Sequence, residues 1–495
     1  MTADDRPNIL WIMSDDHAAQ AVGAYGGRFA PLDPTPNIDR LATEGVRFDN
    51  VFCSNSICTP SRATLLSGQY SHVNGVRTLS DPISPDKIVL PAIMTEQGYE
   101  TAMIGKWHLH AEPTGFDYYI VLPGQGTYFN PVFHDKNLGA WPDNQRQFIG
   151  SVVGRAQAAL HADDAITDLS IKWLRERKGD QPFFLMHHFK APHGNWENPE
   201  STDFLYEDIN IPEPASLRTG PAPGSPSAEL GSSIGKRNPR RNVGKQMRVD
   251  QNLAPHDYQT EAYQRYTKKY LRCVRGIDDN VGRLIDYLRS TGELNNTIIL
   301  YTSDQGMMTG EHDYYDKRWM YEESMRMPFI VRYPPTVPAG SANDAMITNV
   351  DFAPTLIELA GGAPRADMQG RSFASMATGG RTPPDWREAV YYRYWMQMAH
   401  HEVPAHYGIR TKNFKLIFHY GLPLDAAGAV QTTTEPGWQL FDLRADPGEN
   451  HDVYRDPSYA DTVATLKQEL LALKAEVGDT DEKYPELMAL RKTVW

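Results

Sequence analysis

The feature that most constrains this chain is a set of short apolar, β-rich runs, each ending in a cluster of ionisable residues. Asn8–Ser14 leads into Asp15-Asp16, and Thr101–Gly105 into Lys106-Trp107-His108. Phe183–Phe189 leads into Lys190-Ala191-Pro192-His193, and Thr297–Ser303 into Asp304-Gln305. Continuous apolar runs of this length read as strands buried on both faces, and the helical patterns between them read as the crossovers of a parallel α/β sheet. Ligands of such sheets bind beyond the carboxyl ends of the strands, so the four clusters are expected to meet in one pocket. One carboxylate at a strand end is ordinarily a cap or turn residue. Four clusters of mixed charge are not explained that way.

The helical segments fit the same plan. Thr35-Pro36 occupies favoured cap and first-turn positions, with Ile38 and Leu41 on one face and Gly45 as the stop. A longer helix is expected from about Tyr263 to Leu288, its stripe running through Tyr266, Tyr270, Cys273, Ile277, Val281 and Leu284. Cys273 lies in that stripe and reads as a small buried hydrophobe. Residues 211–255 are rich in Pro and Gly and are expected to form an irregular excursion. Inside it, Lys236, Arg237, Arg240, Arg241, Lys245 and Arg248 have no acidic residue among them. They read either as a solvated loop or as a lid or subunit contact that carries positive charge to an anionic ligand. A catalytic unit is expected over 1–381 and a smaller α+β unit over 382–495. The latter contains antiparallel strands at Tyr391–Tyr394, Lys415–Tyr420 and Gln439–Leu443, and a helix opened by Asp456-Pro457.

Composition removes several classes of function. Forty per cent hydrophobic residues and 11% aromatics exclude a disordered chain. A balance of 49 Lys+Arg against 62 Asp+Glu, net −13, argues against nucleic acid as a partner, because phosphate binding needs a basic face. No apolar run approaches the ~20 residues of a membrane span. Three cysteines cannot form a disulfide framework. Met1–Arg6 carries two aspartates rather than a basic leader region, so the expected location is cytoplasmic.

The clustered residues suggest a chemistry. Asp15, Asp16, Asp304 and Gln305 offer only oxygen donors, the set a hard divalent cation prefers. Lys106, His108 and His193 add positive charge and protons, which suits a tetrahedral anion with a proton donor for its leaving oxygen. The nucleophile candidate is Cys58. Pro60 fits a first helical turn, which puts Cys58 at a helix N-terminus with Arg62 one turn on, an anion site expected to activate residue 58. A buried structural cysteine and a metal thiolate are the plainer readings, but neither accounts for the Pro and Arg spacing. Only Cys53 stands nearby, without zinc-site spacing. An unmodified-cysteine phosphatase needs a longer cradle than the three residues between Cys58 and Arg62.

Cys58-Thr59-Pro60-Ser61-Arg62 followed by Ser67-Gly68 resembles the signature of type I, formylglycine-dependent sulfatases. Asp15-Asp16, Gly105-Lys106-Trp107-His108, Pro192-His193, Asp304-Gln305-Gly306 and Lys317 within Asp316–Glu322 follow in the family's order, over nearly the whole chain. The resemblance implies an alkaline-phosphatase-like α/β fold: a mixed, mostly parallel sheet flanked by helices, with a smaller C-terminal antiparallel sheet plus helix. It implies oxidation of Cys58 to formylglycine by a formylglycine-generating enzyme, and Ca²⁺ held by Asp15, Asp16, Asp304, Gln305 and residue 58. Arg62, Lys106 and Lys317 would fix the nucleophile and sulfate oxygens. His193 would protonate the leaving alcohol and His108 would act as base, roles that could be exchanged. Asp16-His17, Pro123–Pro131 and His406–Arg410 are similar to bacterial carbohydrate sulfatases acting on 6-O-sulfated N-acetylglucosamine. His17, Gln125, Tyr128, His401 and His406 are therefore substrate-pocket candidates. Met307-Met308 departs from the eukaryotic glucosamine sulfatases, which tend to carry a histidine there; His312 is the nearest. The expected partner is a small-molecule or glycan sulfate ester, with a homo-oligomer left open. Arylsulfatase or phosphonate/phosphate monoester hydrolase activity is the alternative, and a non-catalytic sulfoglycan binder is disfavoured by the complete set of acid, base and metal groups.

Overall fold

Five parallel strands form the spine of the molecule. The computed structural model describes residues 6–152, 159–219, 232–238 and 241–495. Across the main sheet the strands run Ser341–Asn343, Val46–Phe48, Phe329–Arg332, Thr297–Ser303, Asn8–Ser14, Phe183–His188, Glu100–Lys106, Tyr118–Leu122, Val132–Asp135 and Gln145–Gln147. The five from Thr297–Ser303 to Tyr118–Leu122 are mutually parallel; the outer strands add antiparallel pairings. All four apolar runs of the sequence lie in this central group, and each ends at the same edge. Ser14 is in register with Ser303, and both Met13 and Gly105 with His188.

The period-2 geometry of a strand divides these runs between two cores. Leu10, Ile12, Leu185, Ile299 and Tyr301 face the long helix Pro255–Ser290 together with helices Ala162–Glu176 and Pro36–Thr43. Ile9, Trp11, Met13, Phe184, Met186 and Leu300 face helices Cys58–Ser67, Val89–Glu96 and Phe352–Leu359. Each fully buried aliphatic side chain contributes about 1.5–3 kcal/mol, so a one-residue slip that exchanged the two faces would be strongly disfavoured. No helix among the described residues is long and apolar enough to cross a membrane.

One local expectation is corrected and another is refined. Thr35 sits at the start of its helix, but its hydroxyl accepts from Gly23 N–H (2.8 Å) and binds Asp39 (3.0 Å). The free N–H groups of Asn37 and Ile38 are taken by the carboxylate of Asp278, at 2.9 and 2.8 Å. The cap is thus tertiary, supplied by the long helix. In the irregular excursion, 220–231 and 239–240, including Arg240 of the basic run, lie outside the described residues. Its described part is packed: Val243 and Val249 are buried, and Asn242 accepts from the Tyr258 hydroxyl.

The C-terminal sheet has four antiparallel strands, Ala389–Tyr394, His406–Thr411, Phe414–His419 and Gly437–Asp442, of which the second was not read from sequence as a strand. Tyr391, Ile409, Leu416 and Phe418 face helix Ala460–Val477 through Leu466 and Leu470. Tyr392, Tyr394 and Ile417 face Phe52, Ile57, Trp319, Met320 and Tyr321 of the larger unit. Tyr392 is the link: its hydroxyl accepts from Ser56 N–H (3.2 Å) and donates to the Arg318 carbonyl (2.6 Å).

Gly105 shows how closely the sheet edge is built. Its φ is +113°, and an added Cβ would lie 1.9 Å from the His188 carbonyl oxygen of the adjacent strand. Both the conformation and the space require glycine. Gly105→Ala is expected to destabilise the fold by about 2–4 kcal/mol, read as a lowered thermal midpoint. An unchanged midpoint would show that the two strands can separate there freely.

Candidate active site

Cys58 opens helix Cys58–Ser67, preceded by extended Ile57 and closed by Gly68 in the left-handed region. Pro60 falls in the first turn, where a missing N–H costs no helical bond. Arg62, one turn on, donates from Nε to Asp304 Oδ2 (2.9 Å) and from a terminal nitrogen to the Lys106 carbonyl (2.6 Å). It therefore ties the helix to the ends of two strands.

The strand ends converge as expected. Asp15 Oδ1 is 3.4 Å from Cys58 Sγ, and Asp15 Oδ2 is ion-paired with Lys106. Asp16 turns through a left-handed conformation (φ 68°); its N–H donates to Asp304 Oδ1 (3.1 Å), and its carboxylate binds Lys317 and the Gln305 amide. Gln305 Nε2 is also 3.7 Å from Cys58 Sγ. Lys106 Nζ makes a second bond to Gln125 Oε1 at 2.6 Å. All these groups except Gln125 are buried.

Oxygen atoms of Asp15, Asp16 and Asp304 all lie within 4.8 Å of one another, a grouping suited to a metal ion. Gln305 Oε1, buried beside them, has no hydrogen-bond partner among the described residues. Four hard oxygen donors, one of them unsatisfied, fit a divalent cation such as Ca²⁺. Burial pushes Asp16 above the usual carboxylate range against the pull of Lys317, with Asp304 adding to the push. A cation there would reverse that direction.

The thiol at the centre is not activated. Burial holds Cys58 up at about 12, with Asp16 and Asp304 raising it against Lys317 and Arg62. The helix N-terminus was expected to activate residue 58; in this setting it leaves a protonated thiol, which is a poor nucleophile.

His193 Nδ1 donates to the Gly194 carbonyl (2.7 Å), which leaves Nε2 facing Asp16 Oδ2 at 3.8 Å. Burial, then Lys106 and Lys317, hold His193 well below the ordinary histidine range. His108, two residues after Lys106, takes a left-handed conformation (φ 56°), and its buried Nδ1 lacks a partner among the described residues. Burial and Lys106 lower it in the same way.

A cleft of about 660 Å³ adjoins this cluster through Gln125, His193 and Lys317, and His401 also lines it. Three substrate-pocket candidates do not line the cleft. His17 is fully buried, its Nδ1 bonded to the Tyr301 hydroxyl (2.5 Å) under the strand ends. His406 is fully buried among Trp319, Tyr392, Tyr394 and His419. Both are aromatic core residues beneath the site. Tyr128 is likewise buried and acts from below: its hydroxyl donates to the His193 carbonyl (2.5 Å), and Lys190 Nζ sits 4.5 Å from its ring. His312 packs on Tyr321 and is absent from the cleft lining. Sequence reading missed Asn195, Tyr315 and His400 as lining residues. His400 adjoins a candidate, but nothing in the local pattern marks Asn195 or Tyr315.

Comparison with known proteins agrees with this geometry. A sequence model of the sulfatase family matches residues 7–363, and one for the N-sulphoglucosamine sulphohydrolase C-terminal region matches 310–476. The chain is 38% identical to N-acetylglucosamine-6-O-sulfatase of Bacteroides thetaiotaomicron over 98% of its own length and 89% of that protein's. It superimposes on the structure of BT4656 in complex with its substrate D-glucosamine-2-N,6-O-disulfate, with a TM-score of 0.82 and 37% identity, covering 97% of this chain and 99% of that one. The phosphonate monoester hydrolase of Agrobacterium radiobacter (21% identity, TM-score 0.70, 95% and 96% coverage) shares the fold alone. The chain therefore belongs to the sulfatase family and is a sulfuric ester hydrolase on the alkaline-phosphatase-like fold.

Proposed function

We propose that this enzyme removes 6-O-sulfate from a glucosamine unit, using formylglycine derived from Cys58 and a bound Ca²⁺. The observation that carries the reading is the interlock of Asp15, Asp16 and Asp304 with Lys106, Lys317 and Arg62 around residue 58, beside a cleft of about 660 Å³ that Lys317 lines. The substrates named for the relatives support the choice of sugar. Asp15, Asp16, Asp304 and Gln305 would hold the cation, which supplies charge neutralisation for sulfate oxygens. Formylglycine supplies an attacking oxygen that an unmodified, protonated thiol does not.

The chain's own residues do the rest. Lys106 and Lys317, each already tied to one carboxylate beside residue 58, would orient the sulfate. Arg62 holds Asp304 in place from below. His193 gains and loses its exchangeable proton at Nε2, because Nδ1–H is committed to Gly194. An entering sulfate offsets the charge of Lys106 and Lys317, raises the proton affinity of that ring and makes it a donor to the leaving sugar oxygen. His108, kept neutral by burial and then by Lys106, would accept a proton.

Sulfate release from N-acetylglucosamine 6-sulfate should exceed release from 4-nitrophenyl sulfate, in enzyme co-expressed with a formylglycine-generating enzyme. Cys58→Ser should lower both to the level of a Cys58→Ala blank; near-wild-type turnover by Cys58→Ser would sink the nucleophile assignment, and turnover of the aryl ester alone would sink the sugar.

His193→Ala should lower kcat on the sugar by about 10²–10⁴-fold. On 4-nitrophenyl sulfate, whose leaving group departs without a proton, the loss should be far smaller. Equal losses would remove the proton-donor role.

Asp304→Ala should lose bound calcium by elemental analysis and turnover together. Unchanged metal content would refute Asp304 as a ligand.

A further inference from the structure

The basic run at 236–248 is not used by the chemistry above, yet part of it forms a wall of the same cleft. Arg241, Lys245 and Gln246 line the cleft with His193 and Lys317. The segment is anchored from behind. Val243 is buried, Gly244 lies so close to Tyr258 that an added Cβ would come within 2.3 Å of its hydroxyl, and Asn242 caps the short turn by accepting from Lys245 N–H (2.7 Å). Gln246 Nε2 reaches across to Asn195 Oδ1 (3.0 Å), joining this wall to the loop that carries His193. Arg241 touches His400 Nδ1 at 3.3 Å.

Charge on this wall is unbalanced. Lys106, Lys317 and Arg62 each have their own aspartate, and Arg318 has Asp316. Neither Arg241 nor Lys245 has an acidic partner among the described residues, although both are held at the cleft rim. The surrounding histidines register the field: burial, followed by Arg318 and Arg241, lowers His400 to about 4. Unpaired cations on an anchored wall, beside a site for one sulfate, suit a ligand carrying a second anionic group.

We propose that Arg241 and Lys245 form a second anion subsite, which selects substrates bearing another negative group in addition to the sulfate that is cleaved. This rests on the glucosamine 6-sulfatase reading and narrows its substrate class. The second group is an oxyanion within reach of the cleft wall: a sulfate on the same sugar nitrogen or the carboxylate of an adjoining uronic acid.

The test uses the full-length, formylglycine-bearing enzyme and three probes. They are N-acetylglucosamine 6-sulfate, glucosamine 2-N,6-O-disulfate, and a disaccharide joining a uronic acid to N-acetylglucosamine 6-sulfate. Wild type should show a lower KM for at least one doubly charged probe, and that advantage should shrink as salt is raised. Arg241→Ala/Lys245→Ala should raise that KM about tenfold, with kcat nearly constant and the KM for the monosulfate changed by about twofold or less. Arg241→Lys/Lys245→Arg should restore most of the preference. Loss confined to the disulfate identifies the N-sulfate as the second anion, and loss confined to the disaccharide identifies the carboxylate; either supports the subsite. Equal losses on all three probes, or none on any, overturn it, provided that the variant's thermal midpoint matches wild type. Wild-type enzyme that cleaves 4-nitrophenyl sulfate but no sugar overturns the glucosamine reading itself, and the subsite with it.

Discussion

Three carboxylates buried within 4.8 Å of one another are the arrangement around which the rest of this molecule is built. Alone, such a group could not stay ionised, since burial and mutual repulsion both favour the protonated forms. Each aspartate has its own cation: Lys106 for Asp15, Lys317 for Asp16 and Arg62 for Asp304. The cations come from a strand end, a loop and a helix far apart in the chain. Satisfying the three charges therefore brings the ends of Asn8–Ser14, Glu100–Lys106 and Thr297–Ser303, the Cys58 helix and the Lys317 loop to one point. Removing one partner from a buried pair typically costs about 3–5 kcal/mol, so activity and folding draw on the same contacts here. Even so paired, burial pushes Asp16 up and Lys106 well down, so a divalent cation and an anionic ester entering together would favour the charged forms of both.

Without a cation, this cluster keeps the cysteine at its centre protonated. A helix N-terminus and Arg62 favour negative charge at residue 58, but complete burial and the nearby aspartates outweigh them. The setting rewards a neutral oxygen-bearing group at that position, which can donate hydrogen bonds to carboxylates and accept them from Gln305. The overall charge of −13 does not oppose an anionic substrate at short range, because the cleft itself is lined by Lys317, Arg318, Arg241 and Lys245. Net charge acts over a Debye length of about 8–10 Å; the cations at the cleft act in contact.

Much of this was legible in the sequence because central parallel strands are buried on both faces. Their runs are continuous and apolar, so the charged residues that follow stand out, and topology dictates that these residues share an edge. What escaped the sequence depended on burial rather than residue type. His17 and His406 have the chemistry of binding residues, but one is fixed under the strand ends by Tyr301 and the other is enclosed by aromatic rings. Nothing local separates a core histidine from one in a cleft. The cap on Asn37 and Ile38 was hidden for a similar reason, because Asp278 lies more than two hundred residues away. The basic segment was ambiguous between loop and lid; Val243 and Val249 pack it down while Arg241 and Lys245 stay at the rim, an arrangement its charge pattern alone does not reveal.

The C-terminal sheet is part of the catalytic arrangement rather than an appendage beside it. Tyr392 bridges the backbone of Ser56, two residues before Cys58, and that of Arg318, one residue after Lys317. A single hydroxyl thus links the Cys58 helix to the lysine expected to meet the sulfate. The connection leaving that strand carries His400 and His401 to the cleft rim, where His401 Nε2 lies 3.2 Å from Asp316. The large sheet therefore builds the end of the cleft proposed to hold the ester. The C-terminal connection and the anchored 241–246 segment build the end proposed to hold the alcohol. Such a division allows the residues that choose the alcohol to change while the charged cluster, which cannot lose a member cheaply, stays fixed.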